Sequence, residues 1–296
     1  MSADVVCVGV VTVDTVALVD RYPSEDERVL AKEIVRAGGG PAAVAAVALS
    51  RLGISTAIVG TIGDDEDGAY VRRIFDHEGI NHEGLSIGSR PTSGSVIVAS
   101  LEHSARAIST RQPIEQAPLN SEARTLIANA QWIHVDHVGI TRLDEMGVRR
   151  GSGPKISFDA GYGVEKFDSS LVDLFAPTDR MMELRHPGAS LEEALTKDCR
   201  ENIIVATRGS KGSAAFSEKS GFVEADGFSV DVTSTLGAGD VFHGALLAQV
   251  IQGRPLAESL LRANAVAALS CRGLDGQSAI PTAAELDAFL ETAKHT

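Results

Sequence analysis

The stretch Ser234–Asp240, STLGAGD, holds the residues best suited to chemistry. Gly237 and Gly239 let the backbone N–H groups of a tight turn converge on an anion. The apolar run that follows begins as a helix would, and its N-terminus adds partial positive charge at the same place. Asp240, at the lip of the turn, is a carboxylate placed to accept a hydroxyl proton while the donors of Gly237, Ala238 and Gly239 hold charge on a migrating phosphoryl group. That combination points to phosphoryl transfer onto an alcohol. Glycine-rich turns between strand and helix recur throughout α/β proteins, so the turn alone leaves chemistry and plain structure evenly matched.

The elements that must position this turn are legible along the chain. Val5 to Val13 is nearly unbroken apolar sequence without a 3.6-residue period, which predicts a strand buried on both faces and ended by Asp14. A carboxylate at the C-terminal end of such a strand is where open α/β sheets meet their ligands. Gly38-Gly39-Gly40 leads through Pro41 into an alanine-rich helix that stops at Gly53, and bare glycine backbone there would let a small molecule lie close. Strand-like and helix-like segments then alternate: 57–63, the helical 68–79, 131–139 and 154–163. Asp159 in the last is equally a ligand contact and a structural residue. This alternation predicts βαβ units and a parallel sheet. Segments 15–37 and 92–101 instead show period two, as half-buried antiparallel strands do.

Composition narrows the function. With 296 residues, 44% apolar residues, 29 glycines and no repeat or linker, the chain predicts one soluble α/β unit. A net charge of −13 argues against a nucleic-acid or anionic membrane surface. Cys7, Cys199 and Cys271 have neither metal spacing nor an even count, which suits a reducing cytoplasm. No apolar run reaches membrane-span length, and the N-terminal residues do not form a basic leader.

Over nearly its whole length the chain resembles the ribokinase-like (pfkB) family of carbohydrate kinases. TLGAGDVFHGAL is similar to the family's C-terminal signature and AGGGPAAVAAVALSRLG to its N-terminal one, with VGTIGDDEDG between them. The resemblance implies a three-layer α/β fold with a mostly parallel central sheet. It also implies a small β-sheet lid inserted from about 15–37 and 92–112, often a dimer surface. Mg-ATP would be the phosphoryl donor, Asp240 the base, and Asp14, Gly39 and Gly40 the sugar contacts. NIIVATRGSKGSAAF resembles the segment whose threonine and glycines approach the phosphates, which carries Thr207, Gly209 and Gly212 over; Asn264 and Ala268 would form a wall for adenine. Three departures stand out. Pro41 and Val44 replace a lysine and an asparagine of ribokinase, which weighs against a ribose-type contact. Leu184 and Pro187 stand where an Asn-x-x-Glu metal motif is expected, leaving Glu183 as the nearest metal candidate. Ser234 replaces the aspartate that opens the C-terminal signature, beside a monovalent-cation site.

For the acceptor, GGGPAA with GAGDVFHGAL is most similar to the sulfofructose kinases, which phosphorylate the 1-hydroxyl of 6-deoxy-6-sulfofructose. An anionic tail calls for cationic or strongly hydrogen-bonding groups, and Arg28, Arg111 and His137 are the candidates. Fructose 6-phosphate and tagatose 6-phosphate are alternatives, as is a neutral ketohexose if the basic groups point outward. A sugar or nucleotide sensor without catalysis is the alternative of another class.

Overall fold

In the computed structural model, which describes residues 3–102, 105–161 and 165–293, the chain forms a large sheet between two helical layers and a smaller sheet at its C-terminal edge. The first sheet uses β1 (Val5–Val8), β4 (Thr56–Ile62), β5 (Asn81–Ile87), β8 (Trp132–Val135), β9 (Lys155–Asp159), β10 (Leu174–Ala176), β11 (Ile203–Thr207), β12 (Ser213–Ser217) and β13 (Gly221–Ala225). Their order is β13-β12-β11-β10-β9-β8-β1-β4-β5. Pairing is parallel from β11 through β5, and β12 and β13 add an antiparallel hairpin at the edge. The second sheet, the lid, has order β3-β2-β6-β7, from β2 (Thr12–Val19), β3 (Ala31–Gly39), β6 (Gly94–Ser100) and β7 (Ala105–Thr110).

The helices are α1 (Pro41–Arg51), α2 (Glu66–His77), α3 (Ser121–Asn129), α4 (Leu143–Met146), α5 (Asp179–Arg185), α6 (Leu191–Asp198), α7 (Ala238–Ile251), α8 (Leu256–Ser270) and α9 (Ala283–Ala293). One apolar core packs α1, α2, α7, α8 and α9 on one face of the large sheet. The other packs α3, α5 and α6 on the opposite face. A third cluster seats Val16, Leu18, Ile97 and Ala99 of the lid against Leu274 and Leu236. α7 is apolar all round, with every residue from Val241 to Gln249 buried, as a helix clasped between two others must be; its neighbours are α1 and α8.

One expectation needs correction. The run Val5–Val13 is two strands in different sheets, and Asp14 lies within lid strand β2 rather than at the end of β1. The break is at Gly9, where a Cβ would sit 2.2 Å from the Asp136 carboxyl. That carboxyl accepts the Val10 N–H at 2.6 Å and turns the chain out of the large sheet. Alternation cannot reveal this, because the lid strand buries Val13 and Val16 as β1 buries Val5 and Val8. The 154–163 segment is strand only through Asp159, and residues 162 and 163 lie outside the described residues.

Candidate active site

The 234–240 turn is anchored at the C-terminal end of α8. Thr233 and Ser234 both donate their N–H to the Cys271 carbonyl, at 2.8 and 3.1 Å, and Leu236 N–H donates to Ser234 Oγ at 3.2 Å. Gly237 follows as the N-cap of α7 with φ 72°, a left-handed conformation, and a Cβ there would stand 2.9 Å from Gly276 Cα. No side chain caps the helix. Its first turn is therefore left without a side-chain cap at the positive end of a 14-residue dipole, and Ala238 N–H donates to the Thr235 carbonyl at 3.4 Å.

Two clefts meet at this turn. One, of about 250 Å³, is lined by Thr207 at the end of β11, by Gly209 and Gly212 after it, by Asn264 and Ala268 of α8, and by Ala238 and Gly239. The other, of about 40 Å³, is lined by Asp14 of the lid, Gly38 to Gly40, Val44, Gly237, Asp240, Asp275 and Gly276. At Gly39 a Cβ would fall 2.1 Å from Asp14 Oδ2, so only glycine lets β3 cross this close to that carboxylate. Asp14 Oδ2 accepts from Thr12 Oγ1 at 3.2 Å, while the buried Oδ1 has no partner among the described residues. Burial raises the Asp14 carboxyl above its ordinary range against the pull of hydrogen bonds from Ser95 and Thr12.

Asp240 is half-buried, and acidic neighbours surround it. Burial first, then the charge of Asp159 and a hydrogen bond to it, then the charge of Asp136, push its carboxyl well above the ordinary carboxylate range; the Arg106 guanidinium works the other way. Asp159 is pushed up to about 7, again by burial first and Asp136 second. Three amides converge on Asp136, those of Val10, Val138 and Gly139, at 2.6, 2.8 and 2.9 Å. The uncapped start of α7 thus lies beside a carboxylate whose affinity for a proton is raised.

The chain matches the model of the pfkB family carbohydrate kinases over residues 2–149 and 169–283. It belongs to that family. The ATP-dependent ribose-1-phosphate kinase of Halopiger xanaduensis is 29% identical over 299 residues, covering 97% of each chain. A fructokinase of Salmonella typhimurium is 26% identical over 284 residues, 87% of this chain and 90% of its own. Among solved structures, a putative ribokinase from Agrobacterium tumefaciens has a TM-score of 0.87 at 22% identity over 100% of both chains. A putative ribokinase II from E. coli in complex with ATP and Mg²⁺ has a TM-score of 0.84 at 19% identity, covering 99% of this chain and 100% of its own. The fold is therefore ribokinase-like.

Several residues singled out in the kinase's sequence lie elsewhere. Arg28 is exposed in the loop between β2 and β3. Arg111 donates to the Thr92 carbonyl at 2.7 Å and faces Asp67 of α2 at 3.7 Å. His137 is exposed in the turn after β8. None of the three lines the smaller cleft. Glu183 is exposed late in α5, well past the strand-to-helix turn, where the residue bridged to Thr207 is Thr178. Among the described residues no three His, Cys, Asp or Glu side chains are grouped to hold a metal. Asn264 lines the larger cleft, but its amide is engaged within the protein: Nδ2 donates to the carbonyls of Ala225 and Asp226, and Oδ1 accepts from Ser213 Oγ.

Sequence reasoning missed Arg106, Asp136, His243 and Asp275. Asp136 carried a usable signal, since it follows the buried run WIHV just as Asp14 follows Val5–Val13. Arg106 carried none: its Nη1 donates to Thr235 Oγ1 at 3.0 Å, and that contact exists only because the lid folds back over the turn.

Proposed function

We propose that this carbohydrate kinase transfers the γ-phosphoryl group of ATP to a hydroxyl of a neutral ketohexose, with Asp240 as general base. The observation that carries the proposal is the shared wall: Ala238 and Gly239 face the larger cleft, while Asp240 faces the smaller one from the same helical turn. The larger cleft suits a nucleotide. A Cβ at Gly239 would meet nothing within 4 Å, so the bare amide edge there is open to an anion. Bound ATP would supply the phosphoryl group and Mg²⁺ would neutralise charge on its phosphates. The sugar oxygen forms its bond to the terminal phosphorus as the bond to the bridging oxygen of ADP breaks. The hydroxyl proton passes to Asp240, and the α7 amides hold the charge of the transferring group.

The acceptor follows from the lining. Asp14 and Asp275 are the charged residues of the acceptor cleft besides Asp240, and carboxylates there favour hydroxyls over a sulfonate or phosphate tail. Its roughly 40 Å³ would hold a few water molecules rather than a hexose, so the lid would move outward as sugar enters. A 6-deoxy-6-sulfofructose acceptor is the second reading. It is favoured by the likeness of the signature blocks to sulfofructose kinases and by the cationic Arg106 at the lid edge.

Sugar-dependent ADP release measured side by side on fructose, fructose 6-phosphate, tagatose 6-phosphate and 6-deoxy-6-sulfofructose tests the proposal. Fructose should give the highest kcat/KM. A tenfold preference for any anionic sugar would transfer the assignment to that sugar, and no release with any of them would favour the sensor class.

The lid also supports a homodimer. Ile34 and Val96 are 65% and 58% exposed on the face opposite Val16 and Ile97, an apolar surface that a second copy would cover. Sedimentation equilibrium should return twice the chain mass for the native protein and the single-chain mass for an Ile34→Lys, Val96→Lys variant; a native monomer at micromolar concentration contradicts the dimer.

A further inference from the structure

One wall of the acceptor cleft is a loop whose conformation is fixed from behind. Residues 271–282 join α8 to α9, and within them Asp275 Oδ1 accepts the N–H groups of Gln277 and Ser278, both at 2.7 Å. A turn closed in this way holds the aspartate side chain in one orientation. Arg51, in the last turn of α1, clamps the same loop: its Nη1 donates to the carbonyls of Gln277, Ser278 and Ile280 at 3.0, 3.2 and 2.7 Å. Its Nε and Nη2 donate to the two carboxylate oxygens of Glu78 at 2.9 and 2.7 Å. The charge of Arg51 is thus matched by Glu78 rather than by Asp275. Gly276, the next residue, stands against the 234–240 turn, since a Cβ at Gly237 would come 2.9 Å from its Cα. Asp275 thereby reaches the cleft that also holds Asp14 and Asp240. Both amides fall on Oδ1, and Oδ2 has no partner among the described residues.

We propose that Asp275 is the specificity-determining residue of the acceptor cleft: its Oδ2 accepts a hydroxyl of a neutral sugar, and its charge turns away sugars that carry a phosphate or sulfonate. The inference deepens the neutral-ketohexose function proposed above and rests on it.

The three carboxylates of the cleft differ in what holds them. Asp240 opens α7 and takes the proton. Asp14 belongs to lid strand β2 and travels with the lid as the cleft opens, whereas Asp275 is tied through Arg51 to α1 in the body of the fold. Its charge therefore stays in place throughout the entry of an acceptor. Among the described residues no Lys, Arg or His lines the cleft to offset it, and Arg106 lines a neighbouring cavity with Thr235 rather than this one. A phosphate brought against that carboxylate is repelled, while a hydroxyl in the same place gains a hydrogen bond to a charged acceptor.

Asp275→Asn removes the charge and little else, because an asparagine Oδ1 still accepts the two amides and its Nδ2 takes the place of Oδ2. The measurement is kcat/KM for fructose and for fructose 6-phosphate, read as sugar-dependent ADP release on the intact native protein and the variant. The ratio of the phosphorylated to the neutral sugar should rise about tenfold in the variant, the scale of one partly buried charge acting on another. A merely structural Asp275 would lower both constants together and leave the ratio where it was. Asp275→Ser, which keeps a turn-closing oxygen on a shorter side chain, should move the ratio the same way and decides alone if Asp275→Asn fails to fold. A rise of less than about threefold in the folded variant overturns the inference. Failure of the function beneath it shows differently: the native protein then releases no ADP with any sugar, or already prefers the phosphorylated one.

Discussion

Replacing Asp240 by Asn is expected to lower kcat by about 10³-fold while the Kd for ATP stays within about a factor of two. The loss corresponds to about 4 kcal/mol of barrier, in the range of a missing general base. Asn has nearly the shape of Asp, so neither cavity nor clash is created, and Asp240 does not line the nucleotide-side cleft. A further consequence separates chemistry from folding. Asp240 is held against Asp159 and Asp136 at an electrostatic cost, so the Asn variant should melt no lower than the native protein. Steady-state turnover, ATP titration calorimetry and a thermal melt on one preparation check all three. A variant retaining more than a tenth of native turnover would remove Asp240 from the base's role.

Gly239→Val should reduce kcat/KM for ATP by at least about 10²-fold, the scale of losing access to one anion-hole donor. The backbone tolerates the change, because the residue is helical and the added Cβ enters open space. The isopropyl group would stand where the phosphates are expected, and the melting temperature should move by only a few degrees. Gly237 makes the contrast: its φ of 72°, with the Gly276 backbone 2.9 Å from where a Cβ would project, puts the same substitution in conflict with the fold itself. Unchanged ATP kinetics in Gly239→Val would mean that the phosphates approach from elsewhere.

What could be foreseen from the sequence divides along physical lines. Parallel strands, the alanine-rich α1 and the GAGD turn were legible because each rests on local rules: apolar runs, a first-turn proline, glycine where the chain must turn sharply. The single strand expected over Val5–Val13 failed because its break is imposed by Asp136, far along the chain, through one bond to Val10. Arg28, Arg111 and His137 could be ranked only by charge and position, whereas side-chain direction depends on partners such as Thr92 and Asp67, which no local pattern reveals.

By itself, then, the sequence determined the α/β class and singled out the turn and the carboxylate to which the proposed chemistry is assigned, since a glycine-lined helix start followed by Asp is a local arrangement that needs no distant help. Only the tertiary structure decided what surrounds that carboxylate. Asp159, Asp136 and Arg106 come from three separate strands or strand ends, and the proton affinity they impose falls off with distance in space rather than with separation along the chain.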